Sequence, residues 1–293
     1  MAFFRKIKVV LEMIKFEHSV FALPFALTGA LLALQNNSLG FSQTWAKIGW
    51  ITLAMVSARS AAMTLNRVID ADIDSRNPRT RMRAIPTKVL SRSFAWGFTV
   101  FCSAVFVIST AMLNSLCLKL APLALVIVFG YSYTKRFTVL SHLVLGLAIG
   151  IAPTAAWIAI RGTLDTVILI LTAAVMFWVA GFDIIYSCQD REFDTTENLY
   201  SLPRALGVSS ALWVSRLLHF LMVGLLEALA LIFQLGVLSH VGIVVIAVLL
   251  IYEHSLVRPN DLSRVNVAFF TVNGFIGVLF SLFWGVDIIW MSP

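Results

Sequence analysis

Nine runs of about 20 mostly apolar residues leave this chain little choice of fold; they fall at approximately 16–35, 47–69, 93–113, 117–134, 140–160, 164–187, 208–233, 236–255 and 267–290. A backbone in lipid has to satisfy its own hydrogen bonds, and a run of that length does so as a helix that spans the bilayer. Composition agrees: 59% of the residues are hydrophobic and 13% charged, against about 25% charged in a soluble domain. Pro24, Pro122 and Pro153 fall inside the first, fourth and fifth runs, where kinks or close packing are expected. Asn36-Asn37-Ser38-Leu39-Gly40 supplies turn residues after the first. Arg5, Lys6 and Lys8 ahead of an apolar stretch superficially resemble a secretory leader, but Lys15, Glu17 and His18 interrupt it, so an uncleaved first helix is expected. With no linker or low-complexity segment, residues 1–293 read as one integral-membrane domain.

The net charge of +7 does not point to nucleic acid, because the positive residues lie between apolar runs, where the membrane topology rule expects them. Arg5, Lys6, Lys8 and Lys15 at the N-terminus share one side with Arg67, Arg76, Arg79, Arg81, Arg83, Lys88, Arg92, Lys135, Arg136, Arg191, Arg204, Arg258 and Arg264. The opposite side has only Lys47, Lys119 and Arg161. That asymmetry places the N-terminus in the cytoplasm. Cys102, Cys117 and Cys188 are far apart and support neither a zinc site nor a disulfide framework. The five histidines share no ligand spacing, and each reads as structural or interfacial.

Two acidic stretches stand out against this apolar background. Asn66, Asp70 and Asp74 are four apart at the end of the second run, with Arg59 seven residues earlier. At about 100° per residue all four stay within roughly 80° of one another, on one helix face. Asp72 lies about 160° from Asp74 and is left out of that set. Asp183, Asp190 and Asp194, at the end of the sixth run, repeat the seven-and-four spacing. Such a face cannot be aimed at lipid, since each charge at membrane depth costs on the order of 3 kcal/mol. Either motif alone is as well explained by a solvated helix end. Matched spacing at two helix ends points instead to a shared site. Carboxylates and a carboxamide are hard oxygen ligands that suit Mg²⁺, and the basic residues around them suit phosphate. A lipid diphosphate, with its tail left in the bilayer, meets both demands.

These residues resemble the signatures of the UbiA family of intramembrane aromatic prenyltransferases. Asn66-Arg67-x-x-Asp70-x-x-x-Asp74 followed by Asn77-Pro78-Arg79-Thr80-Arg81 is similar to its first motif, and Asp183-x-x-Tyr186 with Asp190-x-x-x-Asp194 to its second. The likeness extends to Phe16-Glu17-His18-Ser19-Val20-Phe21-Ala22-Leu23-Pro24 and to Tyr131-Ser132-Tyr133-Thr134-Lys135-Arg136, covering the first two thirds of the chain. It implies an all-α membrane protein, nine transmembrane helices around a central cavity open to the cytoplasmic side and laterally to lipid. The implied setting is the cell (inner) membrane with the active site facing the cytoplasm.

The implied activity is 4-hydroxybenzoate polyprenyltransferase-like: Mg²⁺-dependent transfer of a polyprenyl group from polyprenyl diphosphate to an aromatic acid in ubiquinone or menaquinone biosynthesis. Carried over position by position, Asn66, Asp70, Asp190 and Asp194 are the implied Mg²⁺ ligands, and Arg67, Tyr131 and Lys135 match positions that contact diphosphate. Lys15 aligns loosely with a further basic position; it reads equally as an interfacial lysine. Asp74 and Asp183 join the catalytic carboxylates through other ligands or by orienting the acceptor. Arg59 and Arg136 are candidates for the acceptor's carboxylate, and Arg59 equally for an aspartate partner.

The sequence departs from the pattern after the second motif, where Asn198 and Tyr200 precede Ser201 in place of the Gly and Lys common in enzymes that prenylate 4-hydroxybenzoate. Asn198-Leu199-Tyr200-Ser201-Leu202-Pro203 resembles a subgroup that includes enzymes of the futalosine-type menaquinone route, so a naphthoate or futalosine-derived acceptor is the alternative. A cation-coupled transporter is the competing class, but its carboxylates belong near the bilayer midplane rather than at helix ends.

Overall fold

The computed structural model describes residues 3–14, 23–35 and 39–290, and among these it is helical with no strand. In chain order the helices are α1 (Phe3–Met13), α2 (Leu23–Leu34), α3 (Phe41–Ile69), α4 (Ala71–Arg76), α5 (Arg92–Leu113), α6 (Ser115–Thr134), α7 (Ser141–Arg161), α8 (Leu169–Ser187), α9 (Arg191–Thr196), α10 (Leu202–Ile232), α11 (Val237–Ser255) and α12 (Asn273–Trp290). Eight segments of the described residues are long and apolar enough to cross a membrane, and α2 is a shorter apolar helix. Nine spans were expected; the first, at 16–35, falls partly outside the described residues, as does most of the turn after it.

Local chemistry sets the helix ends. Ser91 and Asn114 accept the backbone N–H groups of Phe94 and Cys117, opening α5 and α6. Ser201 does the same for Arg204, so α10 starts at Leu202, earlier than the apolar run predicts. Gly207 then takes φ 79° and kinks it. At the far end of α7, Lys47 Nζ donates to Ala159 O (2.7 Å), a carbonyl the helix leaves open, and Asn114 Nδ2 donates to Ile158 O (2.8 Å), which also accepts the Gly162 N–H.

The span that contains α8 is the centre of the bundle: 67% of its apolar window is buried, against 17% for α6 at the rim. Helix–helix contact in lipid rests on close packing and polar locks rather than on excluding water. α7 and α8 meet so tightly at Gly146 that a Cβ there would stand 2.3 Å from Met176 O. Phe280, Phe25 and Trp178 stack in sequence, with centroids 4.4 and 4.9 Å apart. Trp178 donates through Nε1 to Asn273 Oδ1 (2.7 Å), and the Asn273 amide donates to Glu253 Oε1 (3.0 Å), joining α8, α12 and α11 inside the apolar core. The same amide reaches Ala268 O across a π-helical turn, Val267–Val272, that leads into α12.

Gly146→Val should therefore overpack the α7–α8 contact and cost about 2 kcal/mol, read as a lower melting temperature in detergent. Gly130→Ala, with nothing within 4 Å of its added Cβ, is the control expected not to lower that temperature.

Candidate active site

Both acidic motifs come to one end of the bundle and share a cavity of about 640 Å³. α3 and α4 bring Asn66, Arg67, Asp70 and Asp74 to its wall, α6 brings Tyr131 and Lys135, and the stretch from α8 through α9 brings Asp183, Asp190 and Asp194. A second cavity of about 180 Å³, lined almost wholly by apolar side chains of α3, α5, α6 and α7, adjoins it. Arg59, Met63, Tyr131, Leu145 and Ile149 line both.

Most of the acids are held by a cation. Asp70 accepts hydrogen bonds from Lys135 Nζ (2.5 Å), Arg136 Nη2 (3.1 Å) and Asn66 Nδ2 (3.2 Å). Asp190 accepts from Asn77 Nδ2 (3.2 Å) and forms a two-point contact with Arg79, whose Nη1 also donates to the Tyr186 hydroxyl (2.8 Å). Burial works against the Arg79 charge, but the hydrogen bonds and charge of Asp190 outweigh it and raise the Arg79 pKa. Asp74 takes Arg83 Nη1 on both oxygens, at 2.8 and 2.7 Å. Arg76 and Glu197 form a bidentate pair (2.9 and 2.7 Å) that ties α4 to α9. The Arg76 contact holds the Glu197 carboxyl below the usual range. Asp72 points away from the cavity to Arg92.

Asp183 is held instead by an imidazole. Its Oδ2 meets His142 Nδ1 at 2.7 Å, and His142 Nε2 accepts the Leu202 N–H at 3.3 Å.

The model of the UbiA prenyltransferase family matches residues 22–291. The chain belongs to that family. Relatives of this UbiA-family chain include the 4-hydroxybenzoate octaprenyltransferases of Vibrio atlanticus, 28% identical over 237 residues (79% of this chain, 83% of the relative), and Aromatoleum aromaticum, 28% identical over 228 residues (78% and 77%). Among solved structures, the apo UbiA homologue of Aeropyrum pernix K1 is 33% identical with a TM-score of 0.84, covering 93% of this chain and 98% of its own. The Archaeoglobus fulgidus UbiA homologue bound to DMAPP and Mg²⁺ shares the fold at 22% identity, with a TM-score of 0.73 and coverage of 96% and 99%.

The UbiA-family site assembles most of the residues singled out in the sequence. Arg67 lies on the cavity wall with its buried Nε unpaired among the described residues, a donor left over for a ligand. Arg59 likewise makes no hydrogen bond or ion pair there. The Tyr131 hydroxyl lies 3.9 Å from Met63 Sδ. Arg136 donates through Nη2 to both Asp70 Oδ1 and Ile69 O (3.1 Å each) and stands behind the lining residues of the cavity. Lys15 lies outside the described residues.

Several wall residues were not singled out. Arg79 and Asn77 sit inside the quoted first motif yet pair across to the second, which no spacing reveals. His142 read as a scattered histidine. Phe269 and Phe270, on the π-helical turn, both line the cavity, and hydropathy does not distinguish them from other core phenylalanines.

Removing a cation from a buried carboxylate is costly. Arg83→Leu should destabilise the chain by about 3 kcal/mol by stranding Asp74, whose side chain is 7% exposed. The double variant Arg83→Leu/Asp74→Leu should recover most of that loss in a melting experiment.

Proposed function

We propose that this chain transfers a polyprenyl group from polyprenyl diphosphate to an aromatic acid of the 4-hydroxybenzoate type, in quinone biosynthesis, at a site facing the cytoplasm from the cell (inner) membrane. The observation that carries this reading is the junction of a charged cavity with an apolar one, because a lipid diphosphate needs both in one continuous space. The names of the Vibrio and Aromatoleum relatives support the acceptor class. The skew of Lys and Arg toward the motif side supports the orientation.

The donor chemistry fits Mg²⁺: Asn66, Asp70, Asp190 and Asp194 offer hard oxygens on one cavity wall. Among the described residues no three acids or histidines converge closely enough to hold a metal alone. Substrate oxygens therefore complete the shell in this reading, as the DMAPP and Mg²⁺ bound together to the A. fulgidus homologue suggest. When bound, Mg²⁺ supplies a Lewis acid that neutralises charge building on the leaving diphosphate.

The protein's own groups do the rest. Arg67 and Lys135 take phosphate oxygens in charge-assisted hydrogen bonds, and the Tyr131 hydroxyl donates a further one. As the C1–O bond breaks, its electron pair leaves with the diphosphate and an allylic cation remains. Phe182, Phe269 and Phe270 on the wall keep water from that cation. Arg59, at the junction, holds the acceptor's carboxylate so that a ring carbon faces C1. The ring carbon bonds to C1, and loss of its proton restores aromaticity.

A naphthoate or futalosine-derived acceptor in menaquinone synthesis is the second reading. Its support is local: Leu199, Tyr200 and Ser201, in the segment that departs from the 4-hydroxybenzoate pattern, line the cavity, and Tyr200 N–H donates to Lys135 O (2.7 Å).

Purified protein with labelled polyprenyl diphosphate, Mg²⁺ and each acceptor tests both. Turnover with 4-hydroxybenzoate, abolished by chelation and reduced at least about 100-fold in Asp70→Asn and Asp190→Asn, is the expected result. Undiminished turnover in those variants, or no prenylated product with any aromatic acid, would overturn it.

A further inference from the structure

Asp183 is the cavity acid held by a ring nitrogen rather than by an arginine or lysine. Asp70, Asp74 and Asp190 meet full cations, which suits groups that surrender their partners when a metal and a phosphate arrive. The partner of Asp183 is fixed differently. His142 is 4% exposed, rooted in the first turn of α7, and its Nε2 is committed as an acceptor by the Leu202 N–H at the start of α10. A nitrogen that accepts carries no proton, so the proton is on Nδ1 and is donated to Asp183 Oδ2. The ring thus presents its N–H to one Asp183 oxygen and leaves the other without a hydrogen bond among the described residues. Its side chain is 23% exposed and lines the same cavity as Arg59.

We infer that His142 is a positioning residue for the aromatic acceptor: it locks Asp183 so that the free carboxylate oxygen accepts a hydrogen bond from the acceptor's ring hydroxyl. This rests on the reading of the chain as an aromatic-acid prenyltransferase and adds its substrate rule. The acceptor carries a carboxylate for Arg59 and a hydroxyl for Asp183, and the Asp183 contact selects hydroxybenzoates over plain benzoates.

The two nitrogens of His142 can be replaced one at a time. An asparagine amide falls near Nδ1, so His142→Asn keeps the hydrogen bond to Asp183 and gives up the one from Leu202. A glutamine amide falls near Nε2, so His142→Gln keeps a partner for the Leu202 N–H and frees Asp183. The measurement is the Kd of 4-hydroxybenzoate and of benzoate for the detergent-solubilised full chain by calorimetry, beside the acceptor and prenyl diphosphate KM values and the melting temperature.

A hydrogen bond to a charged group is worth about tenfold in affinity, so His142→Gln should weaken 4-hydroxybenzoate about tenfold, leave benzoate and the prenyl diphosphate KM unchanged, and melt like the parent. His142→Asn should recover the 4-hydroxybenzoate affinity while melting lower. Equal weakening in both variants, or weakening of benzoate in parallel, would mark His142 as structural and overturn the inference. A parent protein that binds both acids equally would overturn it while leaving prenyl transfer standing; a parent that binds neither and forms no product would remove the reading beneath it.

Discussion

A carboxylate at the end of an apolar helix has to be matched in charge, and in this bundle that requirement decides how the helix ends meet. Asp70 draws the last residues of α6 onto the end of α3 through Lys135 and Arg136. Asp190 draws the segment around Asn77 and Arg79 across from the other motif, and Asp74 anchors Arg83 beneath it. Arg76 and Glu197 close the rim. Buried ion pairs add little net stability, because desolvation offsets most of their attraction. Their effect is to fix which helix ends meet and to hold open a polar space where apolar packing would otherwise close it.

That polar end contrasts with the interior around α8. There, close backbone approach at Gly146 and the Trp178–Asn273–Glu253 lock leave little freedom of movement. His219 and His254 belong to the same interior: their ring nitrogens lie 3.0 Å apart, and His219 faces Glu253 at 3.9 Å. A rigid centre and a charge-paired rim divide the labour between holding the bundle and meeting a ligand.

Much of this was legible in the chain. The apolar runs located the long helices from α3 onward, since length and hydropathy report directly on what lipid tolerates, but they placed the starts of α3 and α10 too late and did not mark the short polar α4 and α9. Asn66, Asp70, Asp190 and Asp194 stand out because period and spacing are local properties, and the structure brings all four to one cavity. The early start of α10 was missed because the Ser201 cap and the Gly207 kink lie in polar sequence ahead of the apolar run. The partners of those acids were less legible. Arg79 reaches Asp190 across 111 residues of chain and His142 reaches Asp183 across 41; such pairings exist only once helices have packed. Arg136 shows the same limit: next to Lys135 in sequence, it divides its guanidinium between Asp70 Oδ1 and the Ile69 carbonyl.

The clamp at the far end of α7 sets a boundary of its own. Lys47 and Asn114 bind the carbonyls of Ile158 and Ala159 beside Leu113, Cys117 and Ile158, which line the apolar cavity. The hollow thus has a hydrogen-bonded polar cluster at this end. In the proposed reading, a tail longer than the hollow turns at that end and leaves sideways between helices, so the bilayer takes up the extra length.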